Sequence, residues 1–533
     1  MPEAIGGHAM RAALFGVGLL LVTAGSARAP TPPPADSTAD RATIESAERG
    51  RWRFGQLDLQ PCEVGAKRAN GVPSQAAFCA DFPVPEDWDH PAGRQIRLRV
   101  AIVRALAAEA DRDLVVFLDG GPGGAATQDY PAVARALQPL RKRRHLLLID
   151  QRGTGSSNPL ECGEALALDT DDPGAQAHSA RPGSSTSGAG NQDLAQVERI
   201  RSCAARLAPR AAPQFYATTD AVRDLEAVRQ ALGAAAFDLV GVSYGTRVAQ
   251  QYARRYPQAV RSLVLDGPVP NRLALLSEHA RNLEEVVQLR LGRCRHDEAC
   301  SRRFGDSYEG LRRVQAQLRR QPVEVEMRDP QSFALVRRTL GADDLTALVR
   351  FYTYNAATSA LLPYVISEAQ AGRYAPLLSQ AQLVVGDVAE HLSGGMSASV
   401  LCTEDADLLQ ERPQDEDTLL GAAVVRDARR ACAAWPHRER PADFHEPYRG
   451  QIPVLVLAGE FDPVTPPRYG AEIVRDLPRA RMLLAPGQGH AVIGVGCMPR
   501  LVGTFVEHLD LDHLDDRCLP WPLCSWMHRS ARL

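Results

Sequence analysis

A serine hydroxyl attacks a carbonyl only when a base takes its proton and a third group holds that base in place. Ser243 is the residue best placed for such chemistry. It is the centre of Gly241-Val242-Ser243-Tyr244-Gly245, after the apolar run Phe237–Val240 and before the helix-like stretch Thr246–Tyr256. A glycine-flanked serine between a strand and a helix is the pattern of a nucleophile elbow, a sharp turn that leaves the hydroxyl exposed at the helix start. Glycines flank it because a Cβ there would collide with neighbouring backbone. The matching base is His490, in Pro486-Gly487-Gln488-Gly489-His490, just after the last strand-like run, Arg481–Leu484. His145, His391 and His513 lack that placement. The orienting acid is Asp462, in GEFDPVTP after Pro453–Leu457. Asp266, after Ser262–Leu265, is its competitor and Glu460 a lesser rival; Asp462 is favoured because it lies one strand before the histidine loop. The tetrahedral intermediate needs two N–H donors. Tyr244, after the nucleophile, supplies one, and Gly121 in Gly120-Gly121-Pro122-Gly123-Gly124 supplies the other.

The elements that must position these residues are legible as a β/α alternation. Arg97–Val103 alternates like a strand, and Leu114–Leu118 and Leu146–Ile149 are short apolar runs ending in turns. Ala217–Leu232 has apolar residues at helical spacing. Short buried strands separated by helices imply a mostly parallel sheet with helices on both faces. Residues 271–445 lose that rhythm and are mainly helical in pattern, as in Ser277–Leu291 and Leu345–Tyr354. The expected organisation is therefore an α/β sheet domain (51–270 and 446–533) interrupted by a helical lid (271–445).

Lys and Arg total 61 and Asp and Glu 64, a net of −3, which gives no reason to expect a nucleic-acid or anionic-membrane partner. At the N-terminus, Arg11 precedes the apolar stretch Ala12–Val22, and small residues lead to Ala27-Arg28-Ala29. That is the form of a secretory signal over residues 1–29, with an uncleaved anchor as the alternative and the only membrane contact expected. Residues 30–50 read as a flexible leader, and 171–193 as a loop poor in apolar residues. The 11 cysteines suit an oxidising compartment, secreted or periplasmic. Pairing them in order gives Cys62–Cys79, Cys162–Cys203, Cys294–Cys300, Cys402–Cys432 and Cys497–Cys518, and leaves Cys524 odd; spacing alone does not prove connectivity. No cysteine or histidine cluster has metal spacing, so no metal is expected, and the proposed chemistry needs no organic cofactor.

Taken together, GGPGG, DQRGTGSS (150–157), GVSYGTRVAQQYARRYP, GEFDPVTP and GQGH resemble the secreted tripeptidyl and prolyl aminopeptidase family of α/β-hydrolases, from about Trp52 to Cys518. The C-terminal segment is similar to that family's TAP-like domain. The resemblance implies a serine exopeptidase acting on free peptide N-termini beneath a lid. It also implies acidic groups for the substrate α-ammonium, for which Ser399-Val400-Leu401-Cys402-Thr403-Glu404-Asp405 offers Glu404 and Asp405. Two features depart from the family: Asp119 opens the glycine loop where many relatives have histidine, and the 171–193 stretch has no recognised counterpart. An esterase or amidase on small exported substrates would use the same triad, and a non-catalytic binding protein would not need it.

Overall fold

The computed structural model describes residues 50–65, 72–111, 113–161, 189–330 and 332–519. The signal and leader, Cys162, Cys524 and most of the 171–193 stretch lie outside the described residues. A ten-stranded sheet dominates, with β1 Trp52–Phe54, β2 Leu57–Val64, β3 Gln75–Pro85, β4 Gln95–Val103, β5 Leu114–Leu118, β6 His145–Ile149, β7 Phe237–Val242, β8 Val260–Asp266, β11 Val454–Gly459 and β12 Ala480–Ala485. Their order is β1-β2-β3-β4-β6-β5-β7-β8-β11-β12. Strands β1 to β4 pair antiparallel, and β6, β5, β7, β8, β11 and β12 run parallel.

The apolar runs become central strands because both sheet faces are covered, so successive residues can all be hydrophobic. Leu114 and Val116 pack into one core with Leu147, Leu239, Leu263 and Val456. Val115 and Phe117 point the other way, into a second core with Leu146, Leu148, Val240, Leu455 and the C-terminal helix residues Met498 and Phe505. This is the two-residue period of a strand made visible by burial.

The segment after β8 builds a third core of its own, drawn from Leu283 to Leu419, from helices that include His279–His296, Ser307–Arg320 and Ala342–Thr353. It is not wholly helical: β9 Val323–Arg328 and β10 Leu335–Leu340 form an antiparallel hairpin. Val323, Val325 and Met327 are progressively buried along β9 while Glu324 and Glu326 stay exposed. The disulfides Cys62–Cys79, Cys294–Cys300, Cys402–Cys432 and Cys497–Cys518 pair as expected. Cys203 is disulfide-bonded as well. No helix among the described residues is long and apolar enough to cross a membrane.

Candidate active site

Ser243 leaves β7 with φ 53° and ψ −122°, a conformation that a non-glycine residue holds only when its surroundings enforce it. Three bonds enforce it. The Ser243 N–H donates to the Asp266 carbonyl (2.9 Å), and the Ser243 carbonyl accepts from the Thr246 N–H (2.9 Å) and hydroxyl (2.6 Å). The flanking glycines are obligatory. A Cβ on Gly241 would lie 2.5 Å from the Gly245 carbonyl oxygen, and one on Gly245 only 2.1 Å from that of Leu118. The helix Tyr244–Arg255 begins at the next residue, so the Tyr244 amide has no partner within the helix. The glycine loop passes directly beside Ser243: a Cβ on Gly120 would sit 3.2 Å from Ser243 Cβ and 3.9 Å from its Oγ. Gly121, with φ 108°, follows in that loop. Beneath the loop, Asp119 accepts from the Gly120 N–H (2.7 Å). Burial and the nearby Asp119 charge push the Asp129 carboxyl up to about 9.

His490 and Asp462 meet, with Nδ1 2.7 Å from Asp462 Oδ2. Asp462 is fully buried and also accepts from the Val464 and Thr465 amides (2.9 and 2.7 Å) and the Thr465 hydroxyl (2.9 Å). Burial opposes its charge, but the imidazole and these donors outweigh burial and hold the carboxyl below its ordinary value. For His490, burial pushes downward and the Asp462 and Asp266 carboxylates push upward by more, so its pKa is raised. The rival acids have other work. Asp266 accepts from the Val492 and Ile493 amides (2.9 and 2.7 Å) and, with burial, rises to about 6. Glu460 accepts from the Gly487 amide (2.7 Å) and pairs with Arg293 (2.9 Å).

Several supporting residues were not singled out from the sequence. Thr465 Oγ1 lies 3.2 Å from His490 Nδ1 as well as bonding Asp462. Gly267, at φ 58°, backs the imidazole so closely that a Cβ would meet Thr465 Oγ1 at 2.9 Å and His490 Cε1 at 3.0 Å. Gly267→Ala therefore combines a strained backbone with displacement of the His490 ring. It is expected to lower kcat/KM by about 100-fold, the cost of misplacing a catalytic group by roughly 1 Å. Steady-state kinetics checks this against an unfolding midpoint that falls far less. Gln151, from the DQRG turn, donates to the Tyr244 hydroxyl (2.9 Å), while Arg152 is fully buried against Asp224 (2.6 Å).

Glu404 and Asp405 correct an expectation. Expected to meet a substrate ammonium, they are instead 1% and 0% exposed and face a cation already present. Arg247, on the helix that starts at the elbow, lies 3.2 Å from Glu404 Oε2 and 2.8 Å from Asp405 Oδ2. Glu404 also accepts from the Thr218 amide (2.6 Å), Asp405 accepts from the Leu275 amide (3.1 Å), and His445 bridges the Glu404 and Asn271 carbonyls. Burial pushes the Glu404 carboxyl up to about 7. The pair thus ties the helix Gly394–Glu404 to the back of the elbow, with Cys402–Cys432 beside it.

A mostly parallel sheet, an elbow serine on a strand-to-helix turn, and an acid and base after later strands define the α/β-hydrolase fold. Residues 113–298 match the alpha/beta hydrolase fold family, and residues 418–518 match the family described as TAP-like protein. The chain has the α/β-hydrolase fold with a TAP-like C-terminal segment, and it is a serine hydrolase. It is 25% identical to the serine protease Hip1 of Mycobacterium tuberculosis over 86% of this chain and 91% of that protein. The tripeptidyl aminopeptidase of Streptomyces coelicolor is 25% identical over 83% of each chain. Carboxylesterase B of Mycobacterium tuberculosis is 28% identical over 82% of this chain and 85% of its own.

Proposed function

We propose that this chain is an exported serine peptidase that releases short peptides or single residues from free peptide N-termini, through an acyl-enzyme on Ser243. The observation that carries the reading is the His490–Asp462 bond of 2.7 Å together with a strained elbow serine. In this reading His490 takes the Ser243 proton as the hydroxyl attacks the scissile carbonyl. The Tyr244 and Gly121 amides hold the oxyanion. His490 then protonates the departing amine, and water, activated by the same base, releases the acyl group. The segment 271–445 acts as a lid that admits a chain end and turns away folded protein. Relatives named serine protease and tripeptidyl aminopeptidase support peptide substrates and attack near the N-terminus. The disulfides support action outside the cytosol.

A relative named carboxylesterase B gives a second reading its footing, hydrolysis of small esters by the same triad. The two separate on one comparison. Peptides with a free α-amine, their N-acetylated forms and simple acyl esters are assayed side by side, with products identified by mass. The peptidase reading expects N-terminal fragments from the free-amine peptides and little from the blocked ones. Equal turnover of blocked and free peptides, or of esters alone, overturns it.

The pH dependence has a defined sign. The base must be unprotonated, so kcat/KM rises with pH through the His490 pKa, which lies above the ordinary histidine value of about 6.5. Asp462→Asn removes the carboxylate that raises it. Its acidic limb is expected to move to lower pH, with kcat down by about 10⁴, as when the orienting acid of such triads is neutralised. A pH–rate profile of both proteins checks it, and an acidic limb that stays in place contradicts the pairing.

A further inference from the structure

We propose that Tyr354, in the inserted helical segment, is a positioning residue for His490, so that the base is correctly set only while that segment is seated on the sheet domain. The inference rests on the reading of His490 as the general base.

Tyr354 follows the helix Ala342–Thr353 and touches the histidine loop in two ways. Its carbonyl accepts from the His490 N–H at 2.8 Å, and its ring lies 5.2 Å from the imidazole at an interplanar angle of 72°. The last carbonyls of a helix lack intrahelical partners and carry partial negative charge, so this helix end suits an imidazole that becomes positive during the reaction. The approach is tight enough to demand glycine. A Cβ on Gly489 would lie 2.3 Å from the Tyr354 oxygen and 2.7 Å from that of Thr353. One on Gly459, at the end of β11, would lie 1.8 Å from the Gly489 oxygen. The loop is thus threaded between a strand end and a helix end contributed by the inserted segment.

The loop also holds a strained residue. Ala491 has φ 60°, a conformation that persists only when both sides fix it. On the downstream side the sheet domain does so, through Asp266 and the Val492 and Ile493 amides. On the upstream side the Tyr354 carbonyl does so. Asp462, Thr465 and Gly267 hold the imidazole from the sheet side, and the Tyr354 ring closes the side facing the helices. The inserted segment reaches the glycine loop too, where Ser393 N–H donates to the Gly123 carbonyl (3.0 Å) and the Ser397 hydroxyl to that of Pro122. Both the base and the oxyanion loop are therefore braced from the same segment.

The test uses the full chain and a small acyl ester, whose turnover needs no recognition of an amine, together with the labelling rate by a fluorophosphonate. Tyr354→Ala is expected to lower kcat and the labelling rate by about 10- to 100-fold while KM moves much less, as for a displaced base. The main-chain carbonyl is kept in every variant, so the comparison reads the ring: Tyr354→Phe, which retains it, is expected to restore both. If Tyr354→Ala does not fold, Tyr354→Leu, without an aromatic ring, is read in the same way. A raised KM with unchanged kcat and labelling would make Tyr354 a pocket wall and overturn the proposal, as would failure of Tyr354→Phe to restore the rates. His490→Ala separates the two levels. If it labels like the wild type, the base assignment itself fails; if it is silent while Tyr354→Ala labels normally, only the positioning role fails.

Discussion

Ser243→Ala and His490→Ala are each expected to lower kcat by on the order of 10⁶, with the double variant no slower than either, as for a proposed nucleophile and base that act as one unit. What survives is the rate that substrate binding and the oxyanion donors provide alone. The reading of Ser243 and His490 as nucleophile and base predicts this outcome. The Ser243 N–H is tied to the Asp266 carbonyl, and the next residue, Gly267, lies against the His490 ring. Ser243 and His490 are therefore both registered on the same strand end. Nearby groups offer no ready substitute. Asp266 is occupied by two amides and Glu460 by an amide and Arg293. Pre-steady-state and steady-state turnover of an activated ester measures the effect. A loss of only tenfold in His490→Ala would mean that another group takes the proton.

Arg247→Met is expected to destabilise the fold by about 3–5 kcal/mol, the cost of leaving buried charge without its partner. Arg247 is fully buried and faces two carboxylates, Glu404 and Asp405, that are as deeply buried. The effect carries a pH signature. The Glu404 pKa, at about 7, is already raised above its ordinary value of 4.5, so the folded state holds that proton more tightly than the unfolded chain. Stability contributed this way is present at low pH and is lost as pH rises through 7. Removing Arg247 pushes Glu404 further up, so the variant recovers most at pH 5 and suffers most at pH 8. Chemical denaturation at the two pH values reads this directly. An unfolding free energy that is unchanged, together with a raised KM for free-amine peptides in Glu404→Gln, would return the two carboxylates to the substrate.

The parts of the fold legible in the sequence are those whose signal is local. Val115, Phe117, Leu147 and Leu239 sit in continuous apolar runs because the central strands are buried on both faces. The elbow is legible because backbone collisions at Gly241 and Gly245 force glycine into a fixed spacing around Ser243. Strands β1 to β3 gave a weaker signal. Pro61 falls in β2 and Pro83 and Pro85 in β3, and β2 exposes Asp58, Gln60 and Glu63. The β9–β10 hairpin lies inside a stretch whose overall pattern is helical, although Val323-Glu324-Val325-Glu326-Met327 alternates as a half-buried strand does.

At the site, residue type and chain order point to Ser243, Asp462 and His490, but pairings across the fold are not readable from them. Asp266 and Asp462 are both aspartates at strand ends; only the packed structure gives one to amides and the other to imidazole. Glu404 looked available because sequence records charge and not burial, and its partner Arg247 lies 157 residues away. Tyr354 and Gly267 carry no motif. Their importance comes from where neighbouring elements bring them.

The central claim, that Ser243 is the nucleophile of a working hydrolase, is tested most directly by fluorophosphonate labelling followed by peptide mapping. One probe per chain on Ser243 in the wild type, with none on Ser243→Ala, is the predicted result. An unlabelled wild type, or a label on any other residue, would contradict it.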